Sequence, residues 1–517
     1  MTSHNVSLPR IPGSLALGMG AAIYVLAWSF LPPLLSASLP LDVVESLAWG
    51  REWEWGYYKH PPLAPWVLHL FYVAFGKAGP FLLSQLCIAT TLWMVWRTGC
   101  RLMAHDRAFL GTVLTMGVAY YTGPALEFNH NVAQMPVWAA LGYCLVACLQ
   151  EGRPRQWLAL GLVAGLGLLT KYSVVVLLAC QGLYLMLTSE RRVLRQSGPW
   201  LAVVVMLAVL VPHMHWLWQL DWLPMSYASA RAVSTSASPR LDAFRFLGAQ
   251  ILNHLPLALI VAAALLGTRQ ERHAAPAAQA AQAAQAAQGR GVAAAGRSGY
   301  LLVLALGPGL LVTLLGLVTG KQLRDMWGMP MWAFSGLLVA AWLPAHWLAP
   351  MRPWLLRGLA VWLVLVSLLA GAYLAYGAQW RNHPSRTDWP QAALAREAQA
   401  TWLSVADCRL DTVASDYWLA GLISVASTDW PSILIAGNER FSPWVNQERL
   451  RRRGALWVWQ SSDVNPAPPP PLDRLQPGPD LRWHEGLWQV AWPYAPAGKP
   501  LTVHWRAYVP AACERQS

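Results

Sequence analysis

Apolar runs recur through the first three quarters of the chain, near 14–36, 80–97, 108–123, 132–149, 157–169, 173–188, 199–219, 244–267, 300–319, 327–347 and 354–377. Runs of about 18 residues or more match the roughly 30 Å of a bilayer's hydrocarbon core, so the pattern predicts about eleven spans. The run 14–36 follows a single Arg10 and is too long for the apolar part of a signal peptide, so it is taken as an uncleaved first span. From residue 379 the pattern shortens. "DTVAS", "PSILIAG", "GALWVWQ", "GLWQVAWPY" and "LTVHWRAYVP" predict strands, with "DYWLAGLISVAS" and "VNQERLRRR" as helices between them. The fold class expected is therefore a polytopic α-helical membrane domain over 1–378, followed by a small α/β domain over 379–517. An Ala/Gln-rich tract within 268–299 reads as a linker, and "NPAPPPPLDRLQPGPD" as a Pro-rich surface loop.

Composition agrees with the membrane reading: 56% of residues are hydrophobic and 12% charged, with mean hydropathy +0.34. The net charge of +13 does not point to nucleic acid, because the basic residues are dispersed among the connections rather than gathered on one soluble face. With the N-terminus inside, every inner connection is basic: Arg97, Arg101 and Arg107; Arg153 and Arg155; Arg191, Arg192 and Arg195; Arg269, Arg272, Arg290 and Arg297; Arg352 and Arg357. An odd number of crossings then places the C-terminal domain outside. Cys87, Cys100, Cys144, Cys148 and Cys180 lie in or beside apolar runs, whereas Cys408 and Cys513 bracket the soluble region and are a candidate disulfide in an oxidising compartment.

The outer connections carry the chemistry. The first, 37–63, contains "LDVVESLAWGREWEWGYYKHPPL", with Asp42, Glu45, Lys59 and His60. On a helical wheel Asp42, Glu45, Trp49, Glu52 and Trp53 share a face, and Trp49 and Trp53 are candidate sugar platforms; Asp42 also suits a helix N-cap. The Pro pair of "HPPL" is expected to end that helix. The second connection offers Glu127, Asn129, His130 and Asn131; Lys171 sits at a tight turn; later connections bring Asp221, Tyr227 and Arg231, then Lys321, Arg324 and Asp325. Ionisable groups at that depth are costly unless they line a cavity. A carboxylate there can accept a proton from a hydroxyl, and lysines and arginines can hold an anionic leaving group. That combination suits glycosyl transfer from a lipid-linked phosphate sugar. No Gly-rich loop for a soluble nucleotide is present, and no tight ligand motif calls for a metal or other cofactor.

"LDVVESLAWGREWEWGYYKHPPLAPW" resembles the first outer loop of glycosyltransferase family 39, a superfamily that includes protein O-mannosyltransferases and the lipid A aminoarabinose transferase; "GLLTKYSVV", "EFNHNVAQMPVW", "DWLPMSYASAR" and "SDYWLAGLI…GNERFSPW" are similar in order. The resemblance implies a GT-C bundle of about eleven to thirteen spans in the bacterial inner membrane. It also implies a periplasmic active site, a polyprenyl-phosphate sugar donor, and a lipid, glycan or protein acceptor. By the same resemblance Asp42 is the catalytic base and Glu127 the closest match to a second acid. Lys171, Arg231, Lys321 and Arg324 would surround the lipid phosphate, with Glu45, Lys59, His60, Asn129, His130 and Tyr227 as substrate-binding candidates. One departure stands out: the acid that usually follows the Asp is Val43 here. Two other classes remain open, a transporter or flippase of lipid-linked sugars and a non-catalytic assembly subunit.

Overall fold

The structure is a computed structural model that describes residues 13–233, 238–274, 295–381, 383–460, 468–495 and 498–514. Among these the helices run α1 (Gly13–Leu35), α2 (Leu41–Gly50), α3 (Leu63–Phe75), α4 (Gly79–Leu102), α5 (His105–Leu114), α6 (His130–Glu151), α7 (Pro154–Thr170), α8 (Val174–Leu187), α9 (Ser197–Gln219), α10 (Leu223–Arg231), α11 (Asp242–Asn253) and α12 (Leu255–Ala274). They continue as α13 (Ala295–Thr319), α14 (Ser335–Trp342), α15 (Ala345–Trp380), α16 (Gln391–Val405), α17 (Tyr417–Ala426) and α18 (Gln447–Arg453). Of the linker expected over 268–299, residues 275–294 lie outside the described residues, as do 461–467, which include the start of the Pro-rich loop.

By length and apolarity, six stretches among the described residues suffice to cross a membrane, or up to eight when two bent helix pairs each count as a span. Several predicted runs are differently built. The run expected over 108–123 is helical only to Leu114 and then passes through short 3-10 turns to Ala125. The 327–347 run is a 3-10 segment, Asp325–Trp332, carrying Pro330, followed by the eight-residue α14. The 244–267 run is two helices bent by 44°. The stretch Leu63–Leu102 is long and apolar enough to count among these, yet it is not one rod. Gly76 adopts φ +56, and a Cβ on Gly79 would lie 2.3 Å from the carbonyl oxygen of Phe71, so α4 turns back sharply against the end of α3. Helix α3 was not expected; the apolar residues 63–75 form it beneath the C-terminal domain, where Tyr72 donates to the carbonyl of Val425 at 3.4 Å.

Within the bundle α4 packs on α6, α6 on α7 and α7 on α9. The last contact is close because α7 presents Gly161 and Gly165 to α9. A Cβ at Gly161 would stand 2.4 Å from the Ala202 carbonyl oxygen. Small residues four apart let membrane helices approach at backbone distance, where dispersion replaces the missing hydrophobic drive.

The C-terminal domain is a mixed five-stranded sheet of order β2-β1-β3-β5-β4. Strands β1 (Thr412–Ser415), β2 (Ser432–Ile435) and β3 (Ala455–Gln460) are parallel; β4 (Leu481–Val490) and β5 (Leu501–Pro510) close it antiparallel. Parallel neighbours need crossovers, and α17 and α18 supply them. Asp416 starts α17 by accepting from the Trp418 and Leu419 N–H groups. Helix α16, which the sequence reading left unassigned, is Ala-rich and packs Leu394, Ala398 and Trp402 into the core. Cys408 and Cys513 are joined by a disulfide across 105 residues of sequence, a loop length for which chain-entropy arguments give about 4–5 kcal/mol.

Candidate active site

Helix α2 starts at Leu41 behind Pro40, which holds the N-cap position without a side-chain bond. Asp42 is therefore not the cap. It lies in the first helical turn, where the unpaired N–H groups favour a negative charge, and it is half-buried. Burial raises its pKa above the ordinary carboxylate value, and the ammonium groups of Lys171 and Lys59 oppose that rise. Glu127 enters the same field: burial, with a smaller contribution from Asp42, pushes its carboxyl up to about 7. Its side chain is nonetheless reachable by water. A group both touched by water and hemmed in by protein lies on the wall of a recess, and it is this enclosure that weakens its solvation.

The loop bearing Glu127 is held by Ser84, whose hydroxyl donates to the Ala125 carbonyl at 2.6 Å. Asn129 then caps α6, its side-chain oxygen accepting from the Asn131 and Val132 N–H groups at 2.8 and 3.2 Å. His130 is buried and its ring stacks on His60, centroids 3.9 Å apart. Burial and neighbouring cations hold the His60 pKa well below the usual imidazole value, so it is neutral at pH 7. Lys171 follows the end of α7 and donates to the Asn131 side-chain oxygen. Its pKa is lowered to about 8 by burial, with Asp42 opposing the shift. Asp42 thus lies within the electrostatic reach of Glu127, Lys171 and Lys59, and the stacked imidazoles within that of both ammonium groups.

Glu45, one turn beyond Asp42, faces a different partner. It accepts from Lys59 Nζ at 2.5 Å and from the Tyr58 hydroxyl at 3.3 Å. Even so its pKa is raised to about 7, because burial of this carboxyl outweighs the ion pair. The Lys59 ammonium lies over the rings of Tyr417 (4.0 Å), Tyr58 (5.0 Å) and Tyr227 (5.5 Å). Tyr58 also stacks on Phe441 at 4.6 Å. Tyr417 and Phe441 belong to the C-terminal domain and Tyr227 to α10, so three distant segments meet on Lys59. Sequence reading named Tyr227 but missed Tyr58, Tyr417, Phe441 and His213. The last is buried on α9, bonds the Trp55 carbonyl at 2.6 Å and the Tyr172 hydroxyl at 3.0 Å, and so ties the Lys171 turn to the first loop.

Several expectations are corrected. Helix α2 ends at Gly50, so Glu52 and Trp53 do not continue the Asp42 face; Trp53 has φ +51 and leans on Trp66 and His69. Trp49 is fully buried, stacked on Tyr57 at 5.4 Å, and offers no sugar platform. The Pro pair does not end α2 but precedes α3, with Pro62 at its N-cap. The four cations divide: Lys171 is in the recess, whereas Arg231 and Lys321 are exposed and Arg324 is half-buried. The cations that act on Asp42 are Lys171 and Lys59. Tyr227 is the α10 residue that reaches the site; Arg231 lies four residues, about 6 Å, further along. There the end of α10 meets the 320 loop, the Gln322 N–H donating to the Ala232 carbonyl at 2.9 Å. Among the described residues no three His, Cys, Asp or Glu side chains gather to hold a metal ion.

This bundle with its capping domain defines a multi-pass membrane protein of the GT-C fold, and the chain resembles glycosyltransferase family 39. It matches the structure of ArnT from Cupriavidus metallidurans, described as bound to undecaprenyl phosphate, with a TM-score of 0.61 at 14% identity, covering 95% of this chain and 98% of that one. The apo form of ArnT matches at 0.62 with the same coverage. Residues 59–216 match the dolichyl-phosphate-mannose-protein mannosyltransferase family, a stretch that begins after Asp42. The lipopolysaccharide core galacturonosyltransferase RgtB of Rhizobium johnstonii is 26% identical over 242 residues, which are 44% of this chain. The chain spans about half the length, 47%, of that curated relative.

Proposed function

We propose that the chain is a glycosyltransferase that moves a sugar from a polyprenyl-phosphate carrier to an acceptor hydroxyl or phosphate on a lipid, glycan or protein, at the periplasmic face of the bacterial inner membrane. The observation that carries this reading is the setting of Asp42, whose carboxylate lies within the electrostatic reach of the Lys171 and Lys59 ammonium groups and of the Glu127 carboxyl. In the reaction the acceptor oxygen attacks the anomeric carbon of the donor from the face opposite the lipid phosphate. The bond from that carbon to the phosphate oxygen breaks, its electron pair leaves with the phosphate, and the anomeric configuration inverts. Asp42 takes the proton of the acceptor. Glu127, with its carboxyl near half-protonation at neutral pH, relieves the crowding of negative charge around Asp42 and stores a proton nearby. Lys171 meets the charge that grows on the departing phosphate, where a fixed, partly enclosed cation acts more strongly than one in bulk water. Lys59, bound to Glu45 and roofed by Tyr417, joins the C-terminal domain to that wall.

The likeness to ArnT and RgtB supports the lipid-linked donor and the envelope acceptor. The test uses purified full-length protein in lipid, radiolabelled polyprenyl-phosphate sugars and extracted envelope acceptors, with Asp42→Asn beside the natural chain. Transfer is expected to fall by about 10²–10⁴-fold in the variant while donor binding persists. Equal transfer by both would remove Asp42 from the reaction, and absence of transfer from any donor would favour a carrier or assembly subunit.

A further inference from the structure

A cleft of about 480 Å³ opens in the C-terminal domain, apart from the Asp42 recess, walled by Trp389 and Trp492 and edged by Gln460, Lys499 and Thr502. Its volume falls within the roughly 300–1,000 Å³ of small-ligand sites. The two indoles stand edge to face, centroids 5.6 Å apart at 80°. Both are half-buried, and Gln460 and Lys499 are exposed at the rim. We propose that this cleft binds carbohydrate, in the form of a neutral or acidic glycan.

The chemistry of the walls selects that class. Indole faces take the flat C–H surface of a pyranose, while an amide, a hydroxyl and an ammonium at the rim suit its ring of hydroxyls. No carboxylate lines the cleft among the described residues, and Lys499 is its one ionised group there, so a uronic acid is accommodated and a cationic ligand is not. The walls are stiff. Pro384 and Pro500 bound the cleft, Trp389 also packs edge-on to Trp418 at 5.6 Å, and Gln460 and Thr502 sit in the β3–β5–β4 ladder. A preformed site spares the ordering cost of binding.

The position is also informative. The segment bearing Trp389 accepts, at the Thr387 carbonyl, from the Ala37 and Ser38 N–H groups at 3.1 and 3.0 Å, and Gln391 accepts from the Leu39 N–H at 3.1 Å. The loop after Trp492 is tied by the Tyr494 hydroxyl to the Leu35 carbonyl at 3.0 Å. Both walls therefore stand on residues 35–39, the stretch that leads into Asp42. A glycan held here has its far end beside the entrance to α2. That it is the non-reacting part of the acceptor rests on the proposed transferase reading; the binding itself does not.

The test uses the full-length protein in nanodiscs and three probes: a manno-oligosaccharide, a galacto-oligosaccharide and an oligogalacturonide, read by saturation-transfer difference NMR and tryptophan quenching. At least one is expected to bind. Trp492→Ala should weaken it by about tenfold, as expected for loss of one stacking face, and the exposed Gln460→Ala by a few-fold. Asp42→Asn should bind as the natural chain does, which separates this site from the reaction. A lipid-borne glycan binding in the same Trp492-dependent way would identify the physiological source as lipid-attached. No binding by any of the probes, binding unchanged in both cleft variants, or capture of a Pro-rich peptide in their place overturns the proposal.

Discussion

Two groups of cations, Lys59 with Lys171 and Arg231 with Lys321, differ in what surrounds them. Lys171 and Lys59 sit in or beside the recess, each engaged by a polar side chain and both within the electrostatic reach of Asp42. Arg231 and Lys321 are exposed, brought near each other by one backbone hydrogen bond between their segments. All four came from the same kind of sequence observation, a basic residue at an outer connection. Enclosure is what separates them: a charge partly enclosed by protein acts at several times the strength it has in solvent. On the proposed reading a basic residue on the rim steers and anchors, while one in the recess meets the charge of the departing phosphate.

The sharpest way to break that comparison is to remove one cation of each kind. Lys171→Ala is expected to lower transfer by about 10²–10³-fold at saturating donor, the cost of deleting one group that meets developing charge. If Arg231→Ala or Lys321→Ala cost as much, the division would fail.

The Glu45–Lys59 pair comes next. Breaking a buried ion pair costs about 3–5 kcal/mol when a charge is stranded. Glu45 softens this, since its pKa is already raised to about 7 and it can take up a proton. A raised folded-state pKa means that the neutral form is the one the fold tolerates, so the contribution to stability is present at low pH and lost as pH rises through the folded value. Lys59→Met should therefore destabilise by about 1–3 kcal/mol at pH 8 and by less at pH 6, read as thermal unfolding in detergent at the two pH values. An equal loss at both would show that Glu45 does not titrate there.

The recess also sets a pH profile. Transfer should fall at alkaline pH, as the Glu127 carboxyl gives up near 7 the proton that spares Asp42 a second charge and Lys171 loses its own near 8. Lys171→Arg, whose guanidinium stays charged, should extend the alkaline limb. The smallest effect is reserved for the rim: Arg231→Ala with Lys321→Ala should change transfer by less than about threefold, with a stronger dependence on ionic strength than on saturating rate.

Much of the fold was legible because its signals are local. Strand β5 coincides with "LTVHWRAYVP", and α9 lies within two residues of the apolar run that predicts it. Helix α3 was missed because its 13 residues are too few to read as a span and follow a Pro pair, so their apolarity had no local explanation; it is met by packing beneath a domain 350 residues later. The site divides in the same way. Asp42, Lys171 and Glu127 could be named from the resemblance and from charge placed after apolar runs. Tyr417, Phe441 and His213 could not, because a tyrosine at a helix start or a histidine inside an apolar run has many ordinary reasons to be there. Only the fold brings residue 417 to residue 59. The cations erred in the opposite direction: sequence order put Arg231 near Tyr227, and one further helical turn carried it away from the recess.

The hydrogen bonds between residues 35–39 and the segments at 387–391 and 494 also bear on how such proteins can be recombined. The seam near residue 379 invites exchange of the C-terminal module for that of a relative. It is not an independent joint. The exchangeable cassette includes the short leash ahead of α2, and a chimera that swaps the module while keeping the host's leash inherits a mismatch three residues from Asp42.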